Sequence, residues 1–573
     1  MATLLYRLFI FLLIFSPLAF GTVELWSLAV METLAILALV LLFFRNKKEV
    51  FYQVPGIVPL VLFLVYVLIQ LVPLPAGFIR FISPNTYSLY HETVGIVEPV
   101  GWMSISVNKR ATLGEFFRFA AYAGLYVVTI QLLTKKELLK DTVRTAVVFA
   151  SVLAIIALLQ DVLSNDKIFW FRKVSVAGIP FAPFGPFVNR NHFAGFMLMM
   201  FPIALSLFVH YKPLVHYGTV RDRIAEIFIQ QRTSIYVLLG FSGLLMATAI
   251  FVARSRGAII SLILTSIFLM AMLLVKGRVK RQGGLLFILT LVLLVFSVGW
   301  FGWEPIFEKF GNMRNAHGDI AESRLPIWRD CADIIRDFPS TGAGFGTFLH
   351  TYPGYHRSYP GKEILGHAHN DYMELVTDGG VIGFLLAAWF LIAVLFKSFR
   401  VFGERKEPFS ICLYLGSITG IIAFLMHSFT EFNFHIGANG LYFFFLAGLA
   451  VSAANTRLRH ESKDTNLKEI RSPLWKIFGV PAGVLLIGSL VFNVGGLMGE
   501  VYCSPFQANA PKEDISRERL LKMSNAAYKA ARFDPLEAAY PFEAARAETL
   551  LTNSSAALAN CLLYTSPSPR DRS

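Results

Sequence analysis

Charge is what this 573-residue chain has least of: Asp, Glu, Lys and Arg together make 16% of it, against 55% hydrophobic residues. With a mean hydropathy of +0.57, that scarcity excludes a soluble multidomain protein, whose surface would need more charge. Acid is scarcer than base, 38 residues against 52, which leaves a net charge of +14. The Lys and Arg lie in short runs between apolar segments, a topological pattern rather than a nucleic-acid footprint, so no nucleic-acid partner is expected. Cysteine is nearly absent. Cys331, Cys412, Cys503 and Cys561 show neither CxxC nor Cys/His spacing, so no metal site is expected from them. Cys331 and Cys503 fall on the same predicted outer face and are expected to stay unpaired. There is no phosphate-cradling glycine loop, GxSxG elbow, zinc signature or DxD-like metal-sugar motif.

What the chain does have is long apolar runs. A hydrocarbon core of about 30 Å takes roughly 20 apolar residues as a helix. Runs near that length recur at 5–20, 23–44, 55–74, 114–133, 145–163, 192–211, 234–253, 258–275, 285–303, 380–396, 411–428, 441–454 and 477–498. They predict an all-α polytopic membrane protein of 12 to 13 transmembrane helices. The first is expected to be uncleaved, because no A-x-A-like cleavage site follows it. Every second connection is basic: 45–48, 135–144, 212–232, 276–281, 397–406 and 457–476. By the positive-inside rule these face the cytoplasm. The N-terminus is then inside, and 75–112, 164–191, 254–257, 304–379, 430–440 and everything after about 499 are outside.

The outer loop 304–379 is the long one within the membrane domain, and connections of such length are usually functional. Ser323 is placed to cap a helix in which Leu325, Trp328, Ala332 and Ile335 recur at three- and four-residue spacing, ended by Phe338-Pro339. Gly342, Gly344 and Gly346 read as a flexible turn, Tyr352-Pro353-Gly354-Tyr355 as another, and a second helix is expected to begin near His369. Two amphipathic helices on the membrane surface would cover a cavity.

Arg190, in GPFVNRNHFAGF, and Arg254 and Arg256, in ARSRGA, stand on the outer face, where topology gives positive charge no advantage. An arginine beside a span costs about 2.5–3.5 kcal/mol and so faces a cavity or a partner. The plain alternative is snorkelling to lipid phosphates; the specific one is a diphosphate headgroup, since the guanidinium fork matches phosphate oxygens. Arg324 opens the predicted loop helix, where the macrodipole disfavours a cation. A bound anion would account for it.

His367 and His369 flank Ala368 in GHAHNDYMELVTDGGVIGF; on a helix they would diverge by about 200°, so one must be chosen. With the helix starting near His369, Tyr372, Met373 and Val376 share its face, and His367 lies in the preceding turn within reach of Asp371. His369 is then the candidate general base, its imidazole suited to taking a proton from an acceptor hydroxyl. A satisfied core histidine is the bland alternative. His367, Asn370, Asp371 and Glu374 are expected to support it, with Asp378 orienting or solvated. The outer turn HSFTEFNFHIGANG, 427–440, is a second polar patch, read as capping and turn formation.

From Arg517 to Leu551 the tail reads as two helices around Asp534-Pro535. AAYKAARFDPLEAAYPFEAARAE resembles the boundary between two tetratricopeptide-type repeats, and since such arrays need about three repeats, a truncated array is expected. Leu562–Ser573 resembles a translated sequencing adapter and is expected to be non-native. The expected organisation is a membrane domain at 1–498, a repeat-like segment at 499–561 with a possible protein partner, and a tail at 562–573.

Taken in order, GPFVNRNHFAGF, ARSRGA, ESRLPIWRDCADIIRDFPSTGAGFGTF, HAHNDYMELVTDGGVIGF and HSFTEFNFHIGAN resemble the O-antigen ligase and polymerase superfamily of bacterial envelope glycosyltransferases, over about residues 100 to 455. The resemblance implies a GT-C-like, inverting transferase without metal or other cofactor, in the bacterial inner membrane with its active site facing outward. Its donor would be a glycan on undecaprenyl diphosphate. Its acceptor would be a hydroxyl of another glycan, of lipid A core or of a protein. The family's essential histidine matches His369, its arginines match Arg256 and Arg324, and a further common position matches Arg190. Glu431 stands where the family often has aspartate, and Asp378-Gly379-Gly380 where it often has Glu-Thr-Gly. The rival expectations are a flippase or exporter that moves a lipid diphosphate with the same arginines, and a scaffold protein that recruits partners through its repeats.

Overall fold

A computed structural model describes residues 2–45, 50–96, 99–163, 167–173, 175–176, 179–180, 183–213, 231–278, 324–358, 365–457, 465–507 and 516–551. The expected span at 285–303, loop residues 304–323 with Ser323, and the last stretch 562–573 lie outside the described residues. Apart from the one-turn helix Phe348–Thr351 and short 3-10 turns, the helices in chain order are α1 (Ala2–Leu18), α2 (Leu25–Arg45), α3 (Ile57–Ile69), α4 (Ala76–Ile82), α5 (Pro84–Glu92), α6 (Lys109–Leu132), α7 (Lys136–Val162), α8 (Arg190–His210), α9 (Gln231–Val252), α10 (Arg256–Val275), α11 (Arg324–Asp337), α12 (Asp371–Gly403), α13 (Pro408–His427), α14 (Gly437–Asn455), α15 (Gly479–Gln507), α16 (Arg517–Phe533) and α17 (Ala539–Leu550). Every expected span within the described residues is a helix. Ten of these helices are long and apolar enough to cross a membrane, and α1 and α3 are shorter apolar helices. The chain is an all-α polytopic membrane protein.

The connections sort to two ends, in the alternation that the charge pattern predicts. At one end Val50–Tyr52 pairs antiparallel with Glu469–Arg471. Arg405 Nε donates to Ala454 O at 2.5 Å, Thr456 Oγ1 to Leu133 O at 2.7 Å and Arg278 Nη2 to Lys406 O at 3.1 Å. The basic breaks therefore meet one another. At the other end Gln70 Nε2 donates to Thr341 O at 2.8 Å, Asn85 Nδ2 to Asp337 O at 2.8 Å, and Ser255 Oγ lies 3.4 Å from His427 Nε2.

α14 is buried along its whole length and forms the axis of the bundle. Lipid is as apolar as a leucine, so packing between spans depends on close approach rather than on burial from water. Gly420 of α13 provides it: a Cβ there would sit 2.5 Å from Met199 O of α8. On the outside, Trp389, Ile392 and Phe396 of α12 and Val484, Ile487 and Val491 of α15 are exposed, the surface a lipid-facing helix presents.

The loop differs from expectation in two places. α11 spans the predicted residues, but its buried face is Ile327, Asp330, Cys331 and Ile334, whereas Leu325 is 39% exposed. Apolar spacing could not foresee a buried carboxylate. Asp330 is satisfied there by Tyr352 Oη at 3.0 Å and Ser358 N at 3.0 Å. The glycine turn is held rather than flexible. Ala343 N donates to Thr377 O at 2.9 Å, Gly344 N to Asp378 O at 3.0 Å and Gly346 N to Asp378 Oδ2 at 2.7 Å. α12 is interrupted opposite this turn at Gly380, with φ 60 and ψ −168, a conformation open essentially to glycine alone.

α16 and α17 form the expected helical pair, and α15 covers their apolar face. Tyr502 stacks on Phe533 at 5.6 Å, and Cys503, Ala527, Ala530, Tyr540 and Ala544 form a small core. Among the described residues Cys331, Cys412 and Cys503 are free thiols; Cys331 and Cys503 belong to separate cores.

Candidate active site

The turn from Ser428 to Ile436, between α13 and α14, is short and polar, and four other parts of the chain converge on it. Its Glu431 is 1% exposed. Asn191 Nδ2, from the first turn of α8, and Arg324 Nη2, the first residue of α11, each donate to Glu431 Oε1 at 2.5 Å. His369 Nδ1 lies 3.3 Å from Glu431 Oε2, and His192 Nε2 lies 3.7 Å from the same oxygen. From behind, α10 begins so close that a Cβ on Gly257 would collide with Thr430 Oγ1, which brings Arg256, one residue earlier, to the same turn.

Burial opposes the charge on Glu431, yet the contacts from His192 and His369 and the Arg324 guanidinium outweigh it and hold the carboxyl well below its usual range. It is therefore an acceptor, and His369 must present Nδ1–H to it. That leaves the His369 Nε2 lone pair pointing elsewhere, and the ring is 30% exposed. Arg324 finds its anion within the protein: the cation that the helix dipole disfavours is compensated by Glu431.

His369 does not lie on the helix, contrary to the face it was expected to share with Tyr372, Met373 and Val376. Its φ is 51, a left-handed value uncommon outside glycine, and the next residue caps α12. Asn370 Oδ1 accepts from Tyr372 N at 3.0 Å and Met373 N at 3.1 Å, the reason the helix starts two residues later than expected. The expected His367–Asp371 pair does not form either. Asp371 turns back onto the 428–436 turn, where its Oδ2 accepts from Asn433 N at 2.9 Å. His367 Nδ1 lies instead 2.7 Å from Glu374 Oε1, whose other oxygen accepts from Ala368 N at 3.0 Å.

His435 joins this second carboxylate, with Nε2 3.4 Å from Glu374 Oε1 and Nδ1 3.5 Å from Asp371 Oδ1. Burial alone would make His435 a weaker base, but the Glu374 and Asp371 carboxylates raise it to about 10, so it is a cation at neutral pH. His367, Glu374 and His435 bring their ligand atoms within 4.8 Å of one another, close enough to share a cation; as they stand, hydrogen bonds and the His435 charge hold them together. Phe432 joins the two carboxylate clusters. Its ring stacks on His367 at 4.1 Å and meets His369 edge-on at 4.9 Å and His192 at 4.7 Å.

Arg190 opens α8 beside Asn191 but sits in a different charge cluster, interacting electrostatically with Arg254 and with Asp161 at the end of α7. The structure thus gathers His369, Arg324 and Arg256 around one turn, gives Asn370 a capping role, and assigns His367, Asp371 and Glu374 to the neighbouring cluster.

Residues 241–388 match the family model described as O-antigen ligase. No curated protein matches the chain. The matched stretch carries Arg256, Arg324, His367 and His369 and ends within α12, before the turn that contributes Glu431. The match supports the O-antigen ligase superfamily, and with it glycan transfer in polysaccharide or lipopolysaccharide biosynthesis.

Glu431, Asn191, His192 and His435 were not singled out as site residues by sequence reasoning. Two signals were available for Glu431: it stands where the family it resembles often has aspartate, and an ionisable residue in a short turn between two spans is costly and therefore a site candidate in its own right.

Proposed function

We propose that this protein transfers a glycan from an undecaprenyl-diphosphate-linked donor to an acceptor hydroxyl on the outer face of the bacterial inner membrane, as an O-antigen ligase or polysaccharide polymerase. The observation that carries the reading is the His369–Glu431–Arg324 chain, with Nδ1 of the histidine on the carboxylate at 3.3 Å and the guanidinium on its other oxygen at 2.5 Å. Such an arrangement fixes the imidazole tautomer and leaves Nε2 as the base, as a carboxylate does in hydrolytic triads.

The acceptor O–H gives its proton to His369 Nε2. Its oxygen forms the new bond to the anomeric carbon as the bond from that carbon to the diphosphate oxygen breaks, and the electron pair leaves with the diphosphate. Attack from the face opposite the leaving group inverts the centre. Arg256 and Arg324, with Arg190 at the approach, would meet the charge that grows on the diphosphate, where a fixed guanidinium is worth most. The activated leaving group arrives with the lipid, so neither sugar nucleotide nor metal is needed.

The test is an assay of the purified protein in detergent with lipid-linked donor and candidate acceptors, products being read by mass. Wild type should form a glycosylated acceptor and His369→Ala should form none while still binding donor; full activity in that variant would sink the histidine's role. Product in detergent also excludes a flippase or exporter, because transport has no meaning there.

A further inference from the structure

A cavity of about 310 Å³ with a mixed polar and apolar wall lies next to the reacting centre, lined by His367, His192 and Phe432 but not by His369, Glu431 or Arg324. Its volume is at the small end of ligand sites, which run from about 300 to 1,000 Å³. α6 contributes Glu115 and Arg118 to its wall, the α8 N-cap contributes Asn189, and Thr22, Glu374 and His435 complete the polar lining.

Two features limit what the cavity can hold. Its charges are paired: Arg118 Nη1 lies 2.6 Å from Glu115 Oε1, and His435 lies 3.4 Å from Glu374. A diphosphate entering it would meet two carboxylates for its two cations, so an anion gains nothing there. Its lining also offers the hydrogen-bonding groups of Thr22, Asn189 and His367, and an apolar occupant would displace water from them without replacing its hydrogen bonds, at a cost in free energy. The wall mixes donors and acceptors, and a hydroxyl is both. Phe348 and Phe432 add apolar surface to the wall, as the C–H groups of a saturated ring require.

We infer that this cavity is a subsite for an uncharged sugar ring, the one carried next to the reacting bond by either the donor or the acceptor. The inference rests on the glycan-transfer reading above and adds to it where a sugar sits. Phe432 connects the two places, its ring centre 4.9 Å from that of His369, so a ring held in the cavity lies one aromatic ring away from the base.

Gly366 allows a direct test, because it lines the cavity and a Cβ added there meets nothing within 4 Å among the described residues. Gly366→Leu should fold as wild type and fill the space; Glu115→Gln should keep the shape and remove the charge. In the detergent transfer assay, both are expected to raise KM for one sugar substrate about tenfold with little change in kcat, the signature of lost ground-state binding. A rise for the acceptor assigns the ring to the acceptor, and a rise for the donor assigns it to the donor. Wild-type KM values for both substrates in both variants would overturn the subsite and leave glycan transfer standing. If wild type transfers nothing, the functional reading fails and the subsite is judged by melting curves with methyl glycosides of glucose, galactose, mannose and N-acetylglucosamine. A saturable shift in wild type that is lost in Gly366→Leu upholds it, and no shift in wild type overturns it. Should Glu115→Gln fail to fold, Gly366→Leu alone decides.

Discussion

A histidine that donates to a carboxylate keeps one tautomer, and an arginine on the other oxygen holds that carboxylate in place. Glu431 is the residue on which both depend. Glu431→Gln should lower kcat by about 10²- to 10⁴-fold while His369 remains present, since the imidazole loses its orienting partner; wild-type kcat would refute that dependence. Removing the carboxylate also strands the Arg324 charge, a loss on the order of 3 kcal/mol for a partly buried pair. His435 gives a second test, through pH. It is faced by Asp371 and Glu374 from α12, by Glu115 and Arg118 from α6, and by His367. Its basicity is raised from 6.5 to about 10 in the fold, so its stabilising contribution is complete below pH 6.5 and fades as pH rises through 10. Melting temperature in detergent should therefore fall between pH 7 and 10, and His435→Gln should flatten that fall. A chelator should leave transfer unaffected; loss of activity restored by a divalent cation would instead make His367, Glu374 and His435 a metal site.

At the scale of elements, the break in α12 depends on an interlock of glycines. Gly380 holds φ 60 and ψ −168, and a Cβ there would lie 2.6 Å from Gly342 N. Both strain and collision act against any side chain, so Gly380→Ala should cost about 3 kcal/mol or more. A melting temperature equal to wild type would show that the break in α12 can relax. The glycines at 342, 344 and 346 were legible as a turn, because glycine clusters mark turns. Their fixed state was not, since the partners that hold them, Thr377 and Asp378, come from the next helix. The same limit explains the face of α11: spacing marked an amphipathic helix, but which stripe is inside depended on Tyr352 and Ser358 satisfying Asp330.

Across the whole molecule, the terminal helical pair is latched to the membrane bundle. Arg110, in the first turn of α6, places Nε 2.6 Å from Asp534 Oδ2 and 3.1 Å from Glu537 Oε2, with its guanidinium over Phe492 of α15 at 5.6 Å. Arg110→Gln should loosen that contact, and amide exchange in α16 and α17 should rise while the span helices stay protected. Unchanged exchange would mean that the Tyr502–Phe533 stack and the core around Cys503 hold the pair without the arginine.

The order of the spans within the described residues and the grouping of their connections at two ends were determined by the sequence, because the length of an apolar run and the charge between runs are local quantities. His369, Arg324, Arg256 and Arg190 were singled out as candidates through the motif and through the cost of charge beside a membrane, and the structure sets Arg190 apart with Arg254 and Asp161. What only the tertiary structure decided is how these residues act together. Glu431 takes its partners from positions 62, 107 and 240 residues away, and local sequence carries no record of such distances. Its burial makes each partner matter, because a carboxylate removed from water is stable only where the fold returns the hydrogen bonds and the positive charge that water supplied.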